Sequence, residues 1–213
     1  KNLNSFFWLF SLDLKSSKKD TQNIILQWIN KNHRYNSKSW EIDIIAKRII
    51  AWTCNSKLTY EDSNTDYKNK FNSIIKKQIN HLIIEIERSE WVNDKMIGCA
   101  AIILTGLSYQ DKDGYLNTGL NLLNDGFPKS RSIRQSNFYL KYFILIREWL
   151  KESQSEIPDY INENIYYLGQ AYAFTWQNSK VNLLFNGNHE TDNLDFDHYL
   201  KKLGYSFKNQ NNE

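Results

Sequence analysis

Apolar residues recur at three- and four-residue spacing along almost the whole chain, the period of helices that turn one face to a core. Ile24, Ile25, Trp28 and Ile29 predict a helix over 20–32, with Asp20 or Thr21 available as its N-cap. Ser39 stands where it would cap a second helix, whose stripe runs Ile42, Ile45, Ile49 and Trp52. A third is predicted from about Tyr67 to Arg88, with Phe71, Ile75, Ile79, Leu82 and Ile86 on one face. Residues 93–108 are apolar almost all round, through Met96, Ile97, Ala100, Ile103, Leu104 and Leu107, as a helix buried on most sides would be. A short segment at 114–124 leads to a turn signal at Gly126 and Pro128. Phe138, Tyr142, Leu145 and Trp149 then predict a helix over about 134–151. Pro158 suits the first turn of the next, which carries Ile161, Ile165, Leu168 and Tyr172. VNLLFNGN (181–188) is the one strand-and-turn signal, with Asn186-Gly187 as a tight turn. A last helix is expected near 194–203, and 206–213 reads as a disordered tail.

Composition agrees with an all-α reading. Only 2 Pro and 8 Gly interrupt 213 residues, so long stretches lack helix breakers. With no repeat and no linker, residues 1–205 read as one domain of antiparallel helical hairpins. Periodicity alone does not separate a toroid from a solenoid or an irregular bundle. The charge is mixed, 27 basic against 24 acidic residues, and gives no argument for nucleic acid. No run approaches the roughly 18 apolar residues of a membrane span. Cys54 and Cys99 lie in apolar helical surroundings and read as buried thiols, with a disulfide between them as the alternative. The opening KNLNSFFWLF has no initiator Met, apolar signal core or small-residue cleavage site, and reads as the start of a trimmed or partial product.

Motif chemistry is mostly absent. There is no Gly-rich phosphate loop, CxxC, GxSxG or HExxH, so no cofactor and no metal site is predicted. Asn188, His189, Glu190, Asp192, Asp195, Asp197 and His198 form a His/carboxylate cluster of no metal-ligand spacing. It reads as a solvated acidic loop, with weak divalent-cation binding as the alternative. His33 and His81 read as surface or cap residues.

Several segments in order carry a resemblance. FFWLFSLDL (6–14), SWEIDIIAKRIIAWT (39–53), NDKMIGCAAIILTGL (93–107), DGFPKSRSIRQS (125–136) and LLFNG (183–187) together resemble the helical domain of the heparinase II/III polysaccharide lyases. The resemblance covers about residues 6–205. It implies an incomplete (α/α) toroid with a groove at one end, and an acidic, uronate-containing polysaccharide as partner. It also implies a C-terminal β-sandwich domain in the full-length protein, absent here, and a bacterial periplasmic or cytoplasmic location.

The family's chemistry is depleted. Asn93 stands where the family's Asn neutralises the substrate carboxylate, but Asp94 replaces the neighbouring His. A carboxylate there repels a uronate, and the residues alone favour a plain helix start. Arg131 and Ser132 keep the second motif, while Gln135 and Ser136 replace its Tyr-His pair. A glutamine amide neither takes nor gives a proton near neutral pH. Tyr139 or Tyr142 would serve if the register slipped.

The implied site therefore comprises Asn93 and Arg131 as remaining catalytic groups, with Arg48, Trp52, Trp40, Ser132 and Asn186 toward substrate. Indole faces stack on pyranose C–H faces, and Arg pairs with uronates. Without the resemblance, Trp52 reads as core and Arg48 as a side chain reaching to the surface. Three functions stand open: a helical domain that recognises an acidic polysaccharide and cleaves it by β-elimination in the full-length protein, a catalytically depleted carbohydrate-binding or structural module, and a helical protein-interaction scaffold.

Overall fold

A computed structural model describes residues 3–13, 15–109, 114–125, 132–175 and 194–207. The described residues are all-α, with no strand among them. The elements are a 3-10 turn at Phe7–Ser11 and helices α1 (Lys18–Asn32), α2 (Ile42–Cys54), α3 (Ser56–Thr59), α4 (Thr65–Arg88), α5 (Val92–Ser108), α6 (Tyr115–Asn124), α7 (Ile133–Glu152), α8 (Asp159–Thr175) and α9 (Leu194–Lys202). No described helix is long and apolar enough to cross a membrane. The chain divides into two compact units, residues 1–127 and 128–213.

In the first unit α5 packs against α2, α4 and α6, and α1 packs against α3 and α4. The all-round apolar character of α5 follows from this: Met96 to Gly106 form a continuous buried run. Two glycines let α6 close on it. A β-carbon at Gly106 would overlap the Leu116 backbone nitrogen, and one at Gly119 would lie 2.7 Å from Ile103 Cγ1. Caps differ from those the sequence suggested. Ser17, not Asp20 or Thr21, caps α1 by accepting from the Asp20 N–H at 3.2 Å. Glu41, not Ser39, precedes α2, and Ser39 is buried. Asn64 caps α4 through the Tyr67 N–H at 2.8 Å.

In the second unit α7 packs against α8. Ser132 caps α7, and Pro158 immediately precedes α8. Arg147 and Glu148 of α7 both bond the Tyr205 hydroxyl, which accepts from Arg147 Nη1 at 3.0 Å and donates to Glu148 at 2.8 Å. Phe207, in the stretch read as tail, packs on Gly169 of α8. The strand signal at 181–188 lies outside the described residues, as does most of the cluster at 188–198. Of that cluster, Asp197 pairs with Lys201 one helical turn on, at 3.1 Å. Cys54 and Cys99 are not bonded to each other; Cys99 is buried as expected, whereas Cys54 is exposed.

Candidate functional site: a pocket where two helices begin

Arg48 and Trp52 share one face of α2, and both are fully buried. The Arg48 guanidinium donates to the carbonyls of Asn4 at 2.7 Å and Ser39 at 3.1 Å, and through Nε to Gln78 Oε1 at 3.2 Å. Trp28 lies beneath it and donates its own Nε1–H to Asn4 Oδ1 at 3.0 Å. Phe6 closes the cluster edge-on to Trp28 and Trp52, at the cost of a left-handed backbone with φ of 54°. Burial pushes the Arg48 pKa down to about 9, which leaves it charged at neutral pH. The side chain thus ties the N-terminal segment and the loop before α2 to α4, from inside the core.

Trp40 is buried too, its indole Nε1–H donating to the Asn32 carbonyl at 3.0 Å. Its ring, however, forms part of the wall of an open pocket of about 550 Å³. This pocket lies where α2 and α5 both begin and α4 ends. Tyr35, Trp40 and Trp91 supply aromatic surface, and Trp91 is 77% exposed. His81 lies edge-on to both Trp40 and Tyr35, with ring centroids 5.4 and 5.5 Å away. It is a wall residue and not a cap; His33, by contrast, sits at the C-cap of α1.

Glu41, Asp43, Glu85 and Asp94 bring four carboxylates to the lining, against the single guanidinium of Arg88. Asp43 and Asp94 occupy the first turns of α2 and α5, where a negative charge meets the positive end of the helix dipole. Asp43 also pairs with Lys47 at 3.1 Å, and Glu85 approaches Arg88 at 3.5 Å. No group of three His, Cys, Asp or Glu side chains among the described residues is arranged to hold a metal ion. Sequence reasoning missed Tyr35, His81, Glu85 and Trp91, which come from the loop before α2, the end of α4 and the turn before α5.

The pocket thus gathers two of the residues singled out from sequence, Trp40 and Asp94. Asn93 is the neighbouring exposed residue in the first turn of α5; Trp91, not Asn93, occupies the N-cap position, without a side-chain capping bond. Arg131 and Asn186 lie outside the described residues. In the second unit, Ser132 Oγ accepts from the Gln135 N–H at 3.4 Å, so its hydroxyl is engaged as a helix cap. Ser136 donates its N–H to the Ser132 carbonyl at 2.9 Å, within the first turn of α7. Tyr139 and Tyr142 are buried on α7, and burial pushes both phenols up to about 12.

No family model, curated protein or solved structure matches this chain.

Proposed function

We propose that the chain is the helical part of a heparinase II/III-like protein that recognises a uronate-containing polysaccharide at the pocket where α2 and α5 begin, and that it binds the polymer without cleaving it. The observation that carries this reading is the pocket's lining. An exposed indole, a phenol and a second indole wall a cavity ringed by hydrogen-bonding side chains. That combination suits a sugar, whose flat C–H faces stack on aromatic rings while its hydroxyls bond to carboxylates and imidazole. Trp40 and Asp94, from segments 39–53 and 93–107 of the resemblance, meet in this one pocket. The layering of α2 with α5 and of α1 with α4 is compatible with an incomplete toroid.

The electrostatics refine the reading. Four carboxylates against one guanidinium disfavour a uronate against the aromatic wall. The unit seated there is an uncharged sugar of the same polymer. Binding without cleavage is supported by the phenols of α7. Tyr139 and Tyr142, with pKa values pushed up to about 12, are poorly matched to proton transfer near neutral pH, and Gln135 cannot perform it.

The test is titration calorimetry with oligosaccharides from a panel of uronate-containing polysaccharides, beside ultraviolet absorbance of unsaturated products. Binding that is lost in Trp91→Ala, with no absorbance rise, is expected. A rise in absorbance would overturn the non-cleaving assignment, and failure of every oligosaccharide to bind would overturn carbohydrate recognition.

A further inference from the structure

A second cavity, of about 520 Å³, lies between the last turn of α1 and the stretch of α4 from Asn69 to Lys77. Ile29 and Ile74, both buried, form its apolar part, and Asn30, Asn69 and Ser73 stand exposed along it. Lys70 and Lys77, also exposed, complete the lining with His33, and no Asp or Glu lines it. We propose that this groove is the uronate subsite of the polysaccharide site, holding the carboxylate of the sugar next to the one seated where α2 and α5 begin. The assignment rests on carbohydrate recognition at that pocket and adds where the polymer's charge is held.

Two observations carry the assignment. The first is continuity between the two cavities. Lys77 lines the groove, and its ammonium lies 5.6 Å from the ring centroid of Trp40, which walls the first pocket. His81, one turn further along α4, lines that pocket edge-on to the same Trp40 ring. Lys77 also donates to the His33 carbonyl at 2.6 Å, two residues before Tyr35 of the first pocket's aromatic wall. One side chain thus marks the border of both cavities. From Lys70 to Glu85 the helix rises about 22 Å, which leaves room for an oligosaccharide of several units.

The second observation is the reversal of charge along α4. Glu41, Asp43, Glu85 and Asp94 around the first pocket repel a uronate, so a polymer that places an uncharged sugar there must present its carboxylate alongside. The groove has the opposite balance. α1 carries no carboxylate after Asp20, the segment 33–40 carries none, and α4 carries none between Asp66 and Glu85. Asp66 meets Lys70 at 2.9 Å, but its side chain is 75% exposed, so water screens that pair. Each ammonium has three N–H donors. Lys70 gives one to Asp66 and Lys77 gives one to the His33 carbonyl, which leaves the others for a ligand carboxylate. The amides of Asn30 and Asn69 and the hydroxyl of Ser73 suit sugar hydroxyls, while Ile29 and Ile74 offer apolar surface to a C–H face.

The experiment is titration calorimetry with hexasaccharides of hyaluronan, heparosan and unsulfated chondroitin, in which uronate and uncharged sugars alternate, each beside its carboxyl-reduced form. The parent should bind at least one of them, with the carboxyl-reduced form about tenfold weaker. In the double variant Lys70→Gln, Lys77→Gln the acidic form should weaken about tenfold and the reduced form hardly change, with thermal unfolding showing the variant folded. Asp66→Asn, which releases Lys70, should tighten the acidic form about twofold. The preference for the acidic form should fade in about 1 M salt, where charges are screened within ~3 Å. Acidic and reduced forms bound alike by the parent, or a double variant that kept the parent's preference, would overturn the uronate subsite; loss of binding in Trp91→Ala would then still uphold carbohydrate recognition at the first pocket. Acidic binding that survived Trp91→Ala would separate the groove from that pocket and overturn the proposal too. Failure of every hexasaccharide to bind would overturn both.

Discussion

The Arg48 guanidinium lies over the face of Trp28, 4.1 Å from the ring centroid, inside the protein. No carboxylate faces it among its hydrogen-bond partners; two backbone carbonyls, an amide oxygen and an indole face share the charge. Removing such a side chain strands all of these partners and leaves a cavity. Arg48→Ala should therefore destabilise the first unit by about 3–5 kcal/mol. Arg48→Met, which keeps the volume, should cost clearly less. Urea unfolding followed by tryptophan fluorescence measures both. A variant with an unchanged midpoint but lost sugar binding would instead make Arg48 a ligand-contacting residue.

That placement marks the limit of what the sequence discloses. The helices were legible because burial of one face imposes a period: 20–32, 67–88, 93–108 and 134–151 fall within a few residues of α1, α4, α5 and α7. The four-residue α3 and the 3-10 turn at Phe7–Ser11 are too short to show a period. The environment of Arg48 was hidden for a different reason. Its acceptors are the backbone carbonyls of Asn4 and Ser39, 44 and 9 residues away, and a carbonyl has no signature in a sequence. The pocket is similar. Tyr35, His81 and Trp91 meet only because α4 ends beside the starts of α2 and α5. Trp40 and Asp94 were singled out from segments of the resemblance, while the residues that accompany them were set by helix ends that periodicity leaves uncertain.

Two glycines of α5 should respond unequally to a methyl group. At Gly106 the added carbon meets the backbone of Leu116, which cannot move without displacing α6. At Gly98 it meets only side-chain atoms, Cδ1 and Cγ1 of Ile86, which can shift without moving a helix backbone. Gly106→Ala should lose about 1–3 kcal/mol through overpacking, whereas Gly98→Ala should be nearly neutral, since alanine regains about 1 kcal/mol of helix propensity. Thermal unfolding of the two variants side by side checks this, and equal midpoints would contradict the close approach of α5 and α6.

The two thiols should react very differently in the folded protein. Cys54 is exposed near the end of α2, while Cys99 is buried in α5, where burial pushes its pKa up to about 12. The thiolate is the reactive form, so Cys99 is both shielded and protonated. An aromatic disulfide reagent should titrate one thiol per chain under native conditions and two in denaturant. Cys54→Ser should abolish the native reaction, and rapid labelling of two thiols in the folded state would contradict the burial of α5.

Alkaline pH gives the last prediction, and its sign follows from Tyr67. The phenol donates to the Thr59 carbonyl at 2.7 Å and is buried, so its pKa in the folded chain lies well above its ordinary value of 10.0. A folded pKa above the unfolded one means that the group's stabilising effect is complete below pH 10 and is lost as pH rises beyond it. Tyr109, Tyr142 and Tyr172 are raised by burial in the same sense. Arg48 acts the other way: its folded pKa of about 9 lies below 12.5, so its contribution grows as pH rises from about 9. Tyr139, Tyr199 and Tyr205 are raised as well, so one arginine is outnumbered by seven tyrosines, and the protein should lose net stability above about pH 10. Tyr67→Phe lacks the ionisable proton. Below pH 10 it should be less stable than the parent by about 1 kcal/mol, the worth of one hydrogen bond. Above pH 10 the gap should close and then reverse as the parent's phenol becomes a liability. Urea midpoints for the pair at pH 8, 10 and 11 decide the matter, and a gap that stayed constant would mean that Tyr67 is open to solvent.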